Sequence, residues 1–163
     1  MIETLTREES ERFLARQVVG RVGCHADGRT YVVPVIYVWD GECVWVQSME
    51  GRKIEMMRAN PSVCFEVDEY EAGGGWRSVI VEGAYEELEA DAAADALALL
   101  VQRFAGARRQ RGERSSGRRP VAFRIRAESI SGRRVVRAAR PRLARLFLRR
   151  RVRKDRSRAV VPM

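Results

Sequence analysis

The dominant pattern along the chain is alternation of apolar and polar positions, the two-residue period of half-buried strands. Three apolar strand-like runs follow one another at about 18–25, 30–38 and 42–48, separated by Asp27-Gly28 and Asp40-Gly41. Asp-Gly between β-rich runs is a strong hairpin signal, because tight hairpin turns need residues that accept positive φ. This stretch is therefore predicted to be an antiparallel meander and not a βαβ unit. Val63, Phe65 and Val67 mark a fourth strand over 62–69. "WRSVIVEGAYEEL" (76–88) predicts a fifth, with Gly83 as a candidate bulge. Val121, Phe123 and Ile125 alternate with Ala122, Arg124 and Arg126 in a sixth strand over 121–132.

Helical spacing interrupts this pattern three times. Thr6-Arg7-Glu8-Glu9 has the capping-box pattern, a Thr N-cap with Glu three positions later. Phe13 and Leu14 give the short helix that follows an apolar side, ending near Gln17. "GRKIEMMRA" (51–59) predicts a second helix that Asn60-Pro61 stops. "ADAAADALALLVQRFA" (90–105) is rich in Ala and Leu, with Asp91 near its start, and predicts a third. Six strands and three helices, with the hairpins early and the helices inserted between later strands, fit a mainly β protein. The expected architecture is a closed or half-closed antiparallel barrel with peripheral helices. Closure also removes the exposed strand edges that invite aggregation.

A chain of 163 residues is the size of one domain, and 45% apolar residues can supply its core. No apolar run reaches 18 residues, so no membrane-spanning helix is expected. The N-terminus "MIETLTREES" is polar and acidic, unlike a signal peptide, and the expected location is the cytoplasm. Cys24, Cys43 and Cys64 form no CxxC pair and are expected to be buried free thiols. One histidine and no His/Cys cluster argue against a structural zinc site, so no metal is expected. His25 sits beside Asp27-Gly28, where a solvated imidazole is expected.

The net charge of +9 is unevenly spread. Residues 136–163 contribute +10 and "GARRQRGERSSGRR" (106–119) contributes +5, which leaves −6 for everything else. The expected organisation is a mildly acidic folded domain over 1–135, a basic loop within it, and a basic tail over 136–163. Within the tail, 142–153 intersperses Leu143, Leu146, Phe147 and Val152 among arginines. Two readings stand open: a basic amphipathic helix that associates with nucleic acid or an anionic membrane, and a solvated, disordered tail.

The junction "WVQSMEGRKIEMM" (45–57) carries the clearest candidate chemistry. A helix N-terminus presents unpaired N–H groups and a partial positive charge, and a phosphate placed there is stabilised by both. Gly51 permits close approach of the backbone, Ser48 offers a hydroxyl, Arg52 a planar fork and Lys53 a point charge. Cations in a first turn cost an isolated helix roughly 0.3–1 kcal/mol each, so two in succession are locally unfavourable unless an anion compensates them. The competing reading pairs Arg52 and Lys53 with Glu50, Glu55 or Glu66 at the surface. Trp76 and Arg77, just after a glycine-rich loop, can stack on a planar ring and contact a phosphate; Trp76 can equally be a core or interface aromatic. Pro34 inside a strand run implies an edge position or a bulge.

In order along the chain, "GRVG…DGRTYVVPVIYVWDGECVWVQSMEGRKIEMMRANPSVCFEVDEY…WRSVIVEGAYEEL…VAFRIRAESISGRR" resembles the pyridoxamine 5′-phosphate oxidase-like flavin-binding split barrels. It looks closest to the branch that includes the nitroimidazole-resistance proteins. The resemblance covers about residues 5–135. It implies a six-stranded split barrel and a homodimer with FMN at the dimer interface. It further implies that Arg52 and Lys53 contact the FMN phosphate and that Gln47 and Ser48 lie near the flavin or its ribityl chain. Pro34, Val35, Ile36 and Tyr37 would line the isoalloxazine through their backbone, and Trp76, Arg77 and Ser78 would approach it from the partner subunit. Many relatives in that branch have His where Gln47 stands, and glutamine cannot titrate near neutral pH. Ser78 replaces a Gln of the true oxidases, and their C-terminal Arg and Trp features are not recognisable here, so oxidation of vitamin B6 is not expected.

The function that follows from the resemblance is an FMN-dependent oxidoreductase that takes hydride from a reduced nicotinamide and passes electrons to a small organic acceptor. No catalytic side chain is assigned. The alternative is a carrier or sensor that binds flavin or haem without turnover, and a third reading is association with nucleic acid or membrane through the basic tail.

Overall fold

The structure, a computed structural model, describes residues 1–71, 74–104 and 119–136. The predicted basic loop up to residue 118 and the tail beyond residue 136, with its amphipathic segment 142–153, lie outside the described residues.

The elements run β1 (Ile2–Thr4), α1 (Arg7–Arg16), β2 (Val19–Ala26), β3 (Arg29–Trp39), β4 (Cys43–Met49), α2 (Arg52–Ala59), β5 (Ser62–Tyr70), β6 (Trp76–Glu87), α3 (Ala90–Phe104) and β7 (Pro120–Val135). Every pairing is antiparallel, in the order β1-β7-β4-β3-β2-β5-β6, and β6 also pairs with β7. That last pairing closes a ring of six strands, the barrel that the alternation predicts. β1 is a seventh strand that the polar N-terminus did not suggest. It forms because β7 runs to Val135, past its ladder with β4, and Ile2–Thr4 fill the vacant edge opposite Arg133–Val135.

Alternation decides which side chains fill the barrel. Val22, Cys24, Tyr37, Val44, Val46, Phe65, Val67, Val79, Val81, Phe123 and Ile125 point inward and are buried. Gly20 belongs to this face because Phe65 leaves no room for a side chain: a Cβ there would lie 2.2 Å from the Phe65 ring. The predicted bulge is present as a register shift between Glu82 and Gly83. A Cβ at Gly83 would come 2.2 Å from the Arg126 carbonyl, so only glycine fits.

The helices pack on the barrel. α1 begins with the predicted capping box: the Glu9 N–H donates to Thr6 Oγ1 at 3.1 Å and the Thr6 N–H donates to Glu9 Oε2 at 2.8 Å. It buries Phe13 and Leu14, and the Tyr37 hydroxyl donates to the Leu14 carbonyl at 2.5 Å. α2 buries Ile54, Met56 and Met57 against β2. α3 packs outside β3, β4 and β7, and Val38 and Cys43 are buried although they alternate outward. Arg103 of α3 donates to the carbonyls of Ala15 and Gln17, where α1 ends.

The expectation for the thiols needs one correction. Cys24 and Cys43 are buried, but Cys64 is exposed, because it lies on the outward phase of β5, opposite Glu82. No group of His, Cys, Asp and Glu among the described residues could hold a metal ion. No helix of the described residues is long and apolar enough to cross a membrane.

Candidate functional site

The ring is closed unevenly. β3 has eleven residues, and all but its last three pair with β2 alone or with no neighbour on the other side. β3 meets β4 only at Tyr37↔Val46, Val38↔Trp45 and Trp39↔Val44. Had the ladder continued, Ile36 would face Gln47, Val35 would face Ser48 and Pro34 would face Met49. The strands part there instead.

Backbone direction follows from one bond. The Tyr37 N–H donates to the Val18 carbonyl at 3.3 Å, so Tyr37 directs its polar groups away from β4. Antiparallel strands alternate this direction residue by residue. The N–H and C=O groups of Val32 and Ile36, and the C=O of Pro34, therefore face the opening. On the opposite wall, Trp45 faces β3, so Gln47 and Met49 direct their backbone groups into the same opening. Pro34 is thus an edge proline: its register with β2 is continuous, with Arg21 opposite, and the bulge alternative does not occur. Its missing N–H falls where a ladder with β4 would have needed one.

The result is a slot whose walls are strand edges with no ladder partner among the described residues. The side chains of Val35 and Tyr37 point into the core and their backbone groups face β2. Of Pro34–Tyr37, only Pro34 and Ile36 therefore direct backbone groups into the slot, and Val35 and Tyr37 close it on the core side. Gln47 is exposed, and Ser48 is half-buried with its hydroxyl 3.5 Å from the Met49 carbonyl.

After Met49 the chain turns into α2, beside the slot. Gly51 is the N-cap, at φ 155° and ψ −171°, a region essentially reserved for glycine. No side chain caps this helix. The contrast with α1 is direct: α1 begins on Thr6 with Glu8 and Glu9, whereas α2 begins on a bare glycine followed by Arg52 and Lys53. The Arg52 guanidinium lies over the Tyr31 ring of β3, 4.9 Å from its centre. Burial pushes the Cys24 thiol up from its ordinary range, and the nearby Arg52 and Lys53 charges oppose that push, so both cations bear on the same end of β2. Of the carboxylates that the surface reading offers, Glu50 is held by Arg58 at 2.5 and 3.1 Å, and Glu66 accepts from Arg21 at 3.0 Å. Glu55 remains beside Arg52, and together with Ala26, Asp27, Arg29 and Met56 they line a cleft of about 440 Å³.

Pro34, Val35, Ile36, Tyr37, Gln47, Ser48, Arg52 and Lys53 are therefore drawn together around one opening. Trp76, Arg77 and Ser78 are not. They begin β6, opposite Tyr70, Glu69 and Asp68 of β5. β6 is three strand spacings from β3 across the β3-β2-β5-β6 face, roughly 14 Å. Trp76 and Ser78 lie on the outer phase of that face. Arg77 points inward: its guanidinium lies 5.4 Å from the centre of the Phe13 ring and 3.6 Å from Glu71. His25 is exposed as expected, with Nδ1 3.0 Å from Thr30 Oγ1.

Sequence reasoning missed Tyr31 and Arg58. Tyr31 carries a signal only in hindsight of the register, since its place on the inward phase of β3 sets it beside α2. Arg58 reads as an ordinary basic residue of a helix's last turn, and nothing local announces its reach to Glu50 and Glu87.

Four similarities to known proteins bear on this arrangement. The family model for pyridoxamine 5′-phosphate oxidase matches residues 6–134. An FAD-binding protein of Mesorhizobium loti is 37% identical, with a TM-score of 0.72 over 83% of this chain and 99% of its own. A candidate 5-nitroimidazole antibiotic resistance protein of Bacteroides thetaiotaomicron shares the fold, with a TM-score of 0.66 over 82% of this chain and 89% of its own at 18% identity. An uncharacterized protein of Rhizobium meliloti is 36% identical over 89 residues, which is 55% of this chain and 59% of that protein; the chain spans less than two thirds of this relative. With the family model spanning both the open β3–β4 edge and the basic helix start, the chain belongs to the pyridoxamine 5′-phosphate oxidase family.

Proposed function

We propose that this protein binds a flavin nucleotide, FMN, in the slot between β3 and β4 and acts as a flavin-dependent oxidoreductase. The observation that carries the reading is the start of α2: an uncapped helix N-terminus on a glycine-only conformation, followed by Arg52 and Lys53, beside two unpaired strand edges. An anionic phosphate at that terminus meets unpaired N–H groups, the helix dipole and two cations. The residues present fit a flavin in a second respect. An isoalloxazine offers ring carbonyls and nitrogens, and the edge groups of Ile36, Gln47 and Met49 are the donors and acceptors that such a ring needs. Tyr31, stacked beneath Arg52, is three residues from Pro34, about 10 Å along the strand, which separates the phosphate subsite from the ring subsite. The Mesorhizobium loti relative, described as FAD-binding, supports the same class of ligand; FAD presents the same ring, and its first phosphate would sit where that of FMN does.

The bound flavin would supply the redox chemistry, accepting hydride from a reduced nicotinamide and passing electrons to a small organic acceptor. The protein's part is to hold the phosphate with Arg52 and Lys53, to fix the ring edge by backbone hydrogen bonds, and to exclude water on the core side with Val35 and Tyr37. We further propose a homodimer in which the start of β6, Trp76–Ser78, of one subunit approaches the cofactor held by the other, Trp76 and Ser78 through their outward side chains and Arg77 through its backbone. Its support is the outer face of β2, β3 and β6, which exposes Val19, Val32, Ile36 and Ile80.

A second reading is a carrier or sensor without turnover. It is favoured by the slot walls, Val32–Ile36 and Gln47–Met49, which hold no acid, base or histidine. An absorbance spectrum and mass of the released ligand identify FMN, FAD or haem. Reduction of the bound flavin by NADH, or its absence, decides between the two readings. Replacing both Arg52 and Lys53 by Ala is expected to weaken flavin binding by about 1–3 kcal/mol for each lost charge-assisted contact. Unchanged affinity in that double variant removes the phosphate assignment.

A further inference from the structure

We infer that Arg58 is a positioning residue of the phosphate subsite: by gripping Glu50 and Glu87 together, it anchors the turn that leads into α2 and keeps the Glu50 carboxylate out of the anion's place. The inference rests on the flavin reading of that site and extends it to a residue that touches no ligand.

Arg58 stands in the last turn of α2, two turns from the helix start. Helix side chains lean toward the N-terminus, which gives a long arginine the direction it needs to reach back. Its guanidinium engages two carboxylates at once. Nη1 and Nη2 donate to Glu50 at 2.5 and 3.1 Å, while Nε and Nη2 donate to Glu87 at 2.7 and 2.8 Å. Glu87, at the end of β6, is fixed in turn: it accepts from the Tyr85 hydroxyl at 2.9 Å and from Arg119 at 3.4 Å. The Glu50 N–H donates to the Arg119 carbonyl at 2.8 Å. The residue immediately before Gly51 is therefore tied to the barrel wall through both its backbone and its side chain. Gly51, the most permissive residue of the chain's repertoire, gains a defined conformation from its neighbour's anchorage.

The second half of the inference concerns charge. Glu50 is the carboxylate nearest in sequence to the uncapped terminus. The start of α1 shows that a carboxylate engages the N–H groups there, since Glu9, in the first turn, accepts from the Thr6 N–H even while it accepts from Arg134. Without Arg58, Glu50 is free to turn toward the N–H groups of α2 and the Arg52 and Lys53 side chains, and to compete there with a phosphate. With Arg58, its charge is spent on the opposite side.

The test uses the full chain and three variants, Arg58→Ala, Glu50→Gln and the two together. In ligand-free protein, hydrogen exchange of the Glu50 amide is expected to rise about tenfold or more in Arg58→Ala, while the β2–β5 amides hold their protection. In an FMN titration followed by flavin fluorescence, Arg58→Ala is expected to raise Kd about tenfold. Adding Glu50→Gln to it is expected to recover most of that loss, because the competing charge is gone. A merely structural role for Arg58 predicts no recovery. Unchanged Glu50 exchange, unchanged Kd in Arg58→Ala, or a double variant as weak as the single one overturns the inference. Should Arg58→Ala fail to fold, Arg58→Lys keeps the charge but cannot grip two carboxylates, and a Kd unchanged in that variant overturns the inference equally. Arg52→Ala separates the two levels. If it weakens FMN binding and Arg58→Ala does not, only the tether is wrong. If Arg52→Ala has no effect, or the wild-type protein takes up neither FMN nor FAD, the flavin reading fails, and the exchange of the ligand-free Glu50 amide still decides the tether.

Discussion

Tyr37 stands where the β3–β4 ladder ends and the slot begins, paired with Val46 and with its side chain in the core. Its ring is fully buried and packs edge-on against Phe65, with centroids 4.7 Å apart. Its hydroxyl donates to the Leu14 carbonyl at 2.5 Å, and burial raises its pKa, so it stays a neutral donor at any ordinary pH. Leu14 lies in the last turn of α1, where carbonyls have lost their intrahelical partners. Phe13 recovers one from the Gln17 N–H, Ala15 takes Arg103, and Leu14 depends on Tyr37. Tyr37→Phe keeps the ring and its packing but leaves a buried carbonyl without its donor. The cost of an orphaned buried acceptor is about 1–3 kcal/mol. For a domain of this size, that lowers Tm by about 2–12 °C. The assay pairs thermal unfolding with an FMN titration well below the variant's midpoint. The expected result is reduced stability with flavin affinity unchanged within about threefold, because neither the side chain nor the backbone polar groups of this residue face the slot. An unchanged Tm would refute the role given to the hydroxyl. A variant that folds fully but binds FMN much more weakly would refute the orientation of Tyr37 and, with it, the geometry of the slot.

The remaining predictions concern the barrel wall. Gly20→Ala places a methyl 2.2 Å from the Phe65 ring and 2.9 Å from the Glu66 carbonyl, so urea unfolding should show a loss of about 1–3 kcal/mol from overpacking. The wild-type midpoint retained in that variant would show that the β2–β5 wall is looser than described. The Glu86 carboxyl accepts from Arg126 at 2.9 Å and from Arg124 at 2.6 Å, and these bonds, Arg126's first, hold its pKa below the ordinary 4.5. A carboxylate with a depressed folded pKa contributes stability that is present above its unfolded pKa and lost as pH falls through the folded one. Stability should therefore decline below about pH 4.5, and Glu86→Gln should show a shallower decline than the wild type over the same range. Equal slopes in the two proteins would remove Glu86 from the acid response.

The strands, the three helices and the hairpin turns were legible because their signals are local. A two-residue period, an Asp-Gly pair or a Thr-x-x-Glu capping box acts within a few residues, and each appears in the structure within a few positions of its predicted place. A closed or half-closed barrel was legible from six strands with the hairpins early and the helices inserted between later strands. β1 was not legible, since Ile2–Thr4 have no pattern of their own and are strands only because β7 overruns β4. Cys64 was misplaced for a related reason: an apolar run says that a strand is buried on one face, and only the register says which residues take that face.

The candidate site divides in the same way. The sequence by itself determined that a glycine and two cations stand at the start of a helix, that a proline interrupts a strand, and that Gln47 and Ser48 precede the helix. These are local violations of what an isolated helix or strand prefers, and such violations are visible residue by residue. That Pro34–Ile36 and Gln47–Met49 face each other across a parted ladder is a statement about register between strands, and Trp76, Arg77 and Ser78 stand three strands away for the same kind of reason. The grip of Arg58 on Glu50 and Glu87 joins residues up to 29 positions apart, and no local pattern encodes it. Only the tertiary structure decided these relations, because they depend on which backbone edges remain unpaired and which long side chains can reach across them once the barrel has closed.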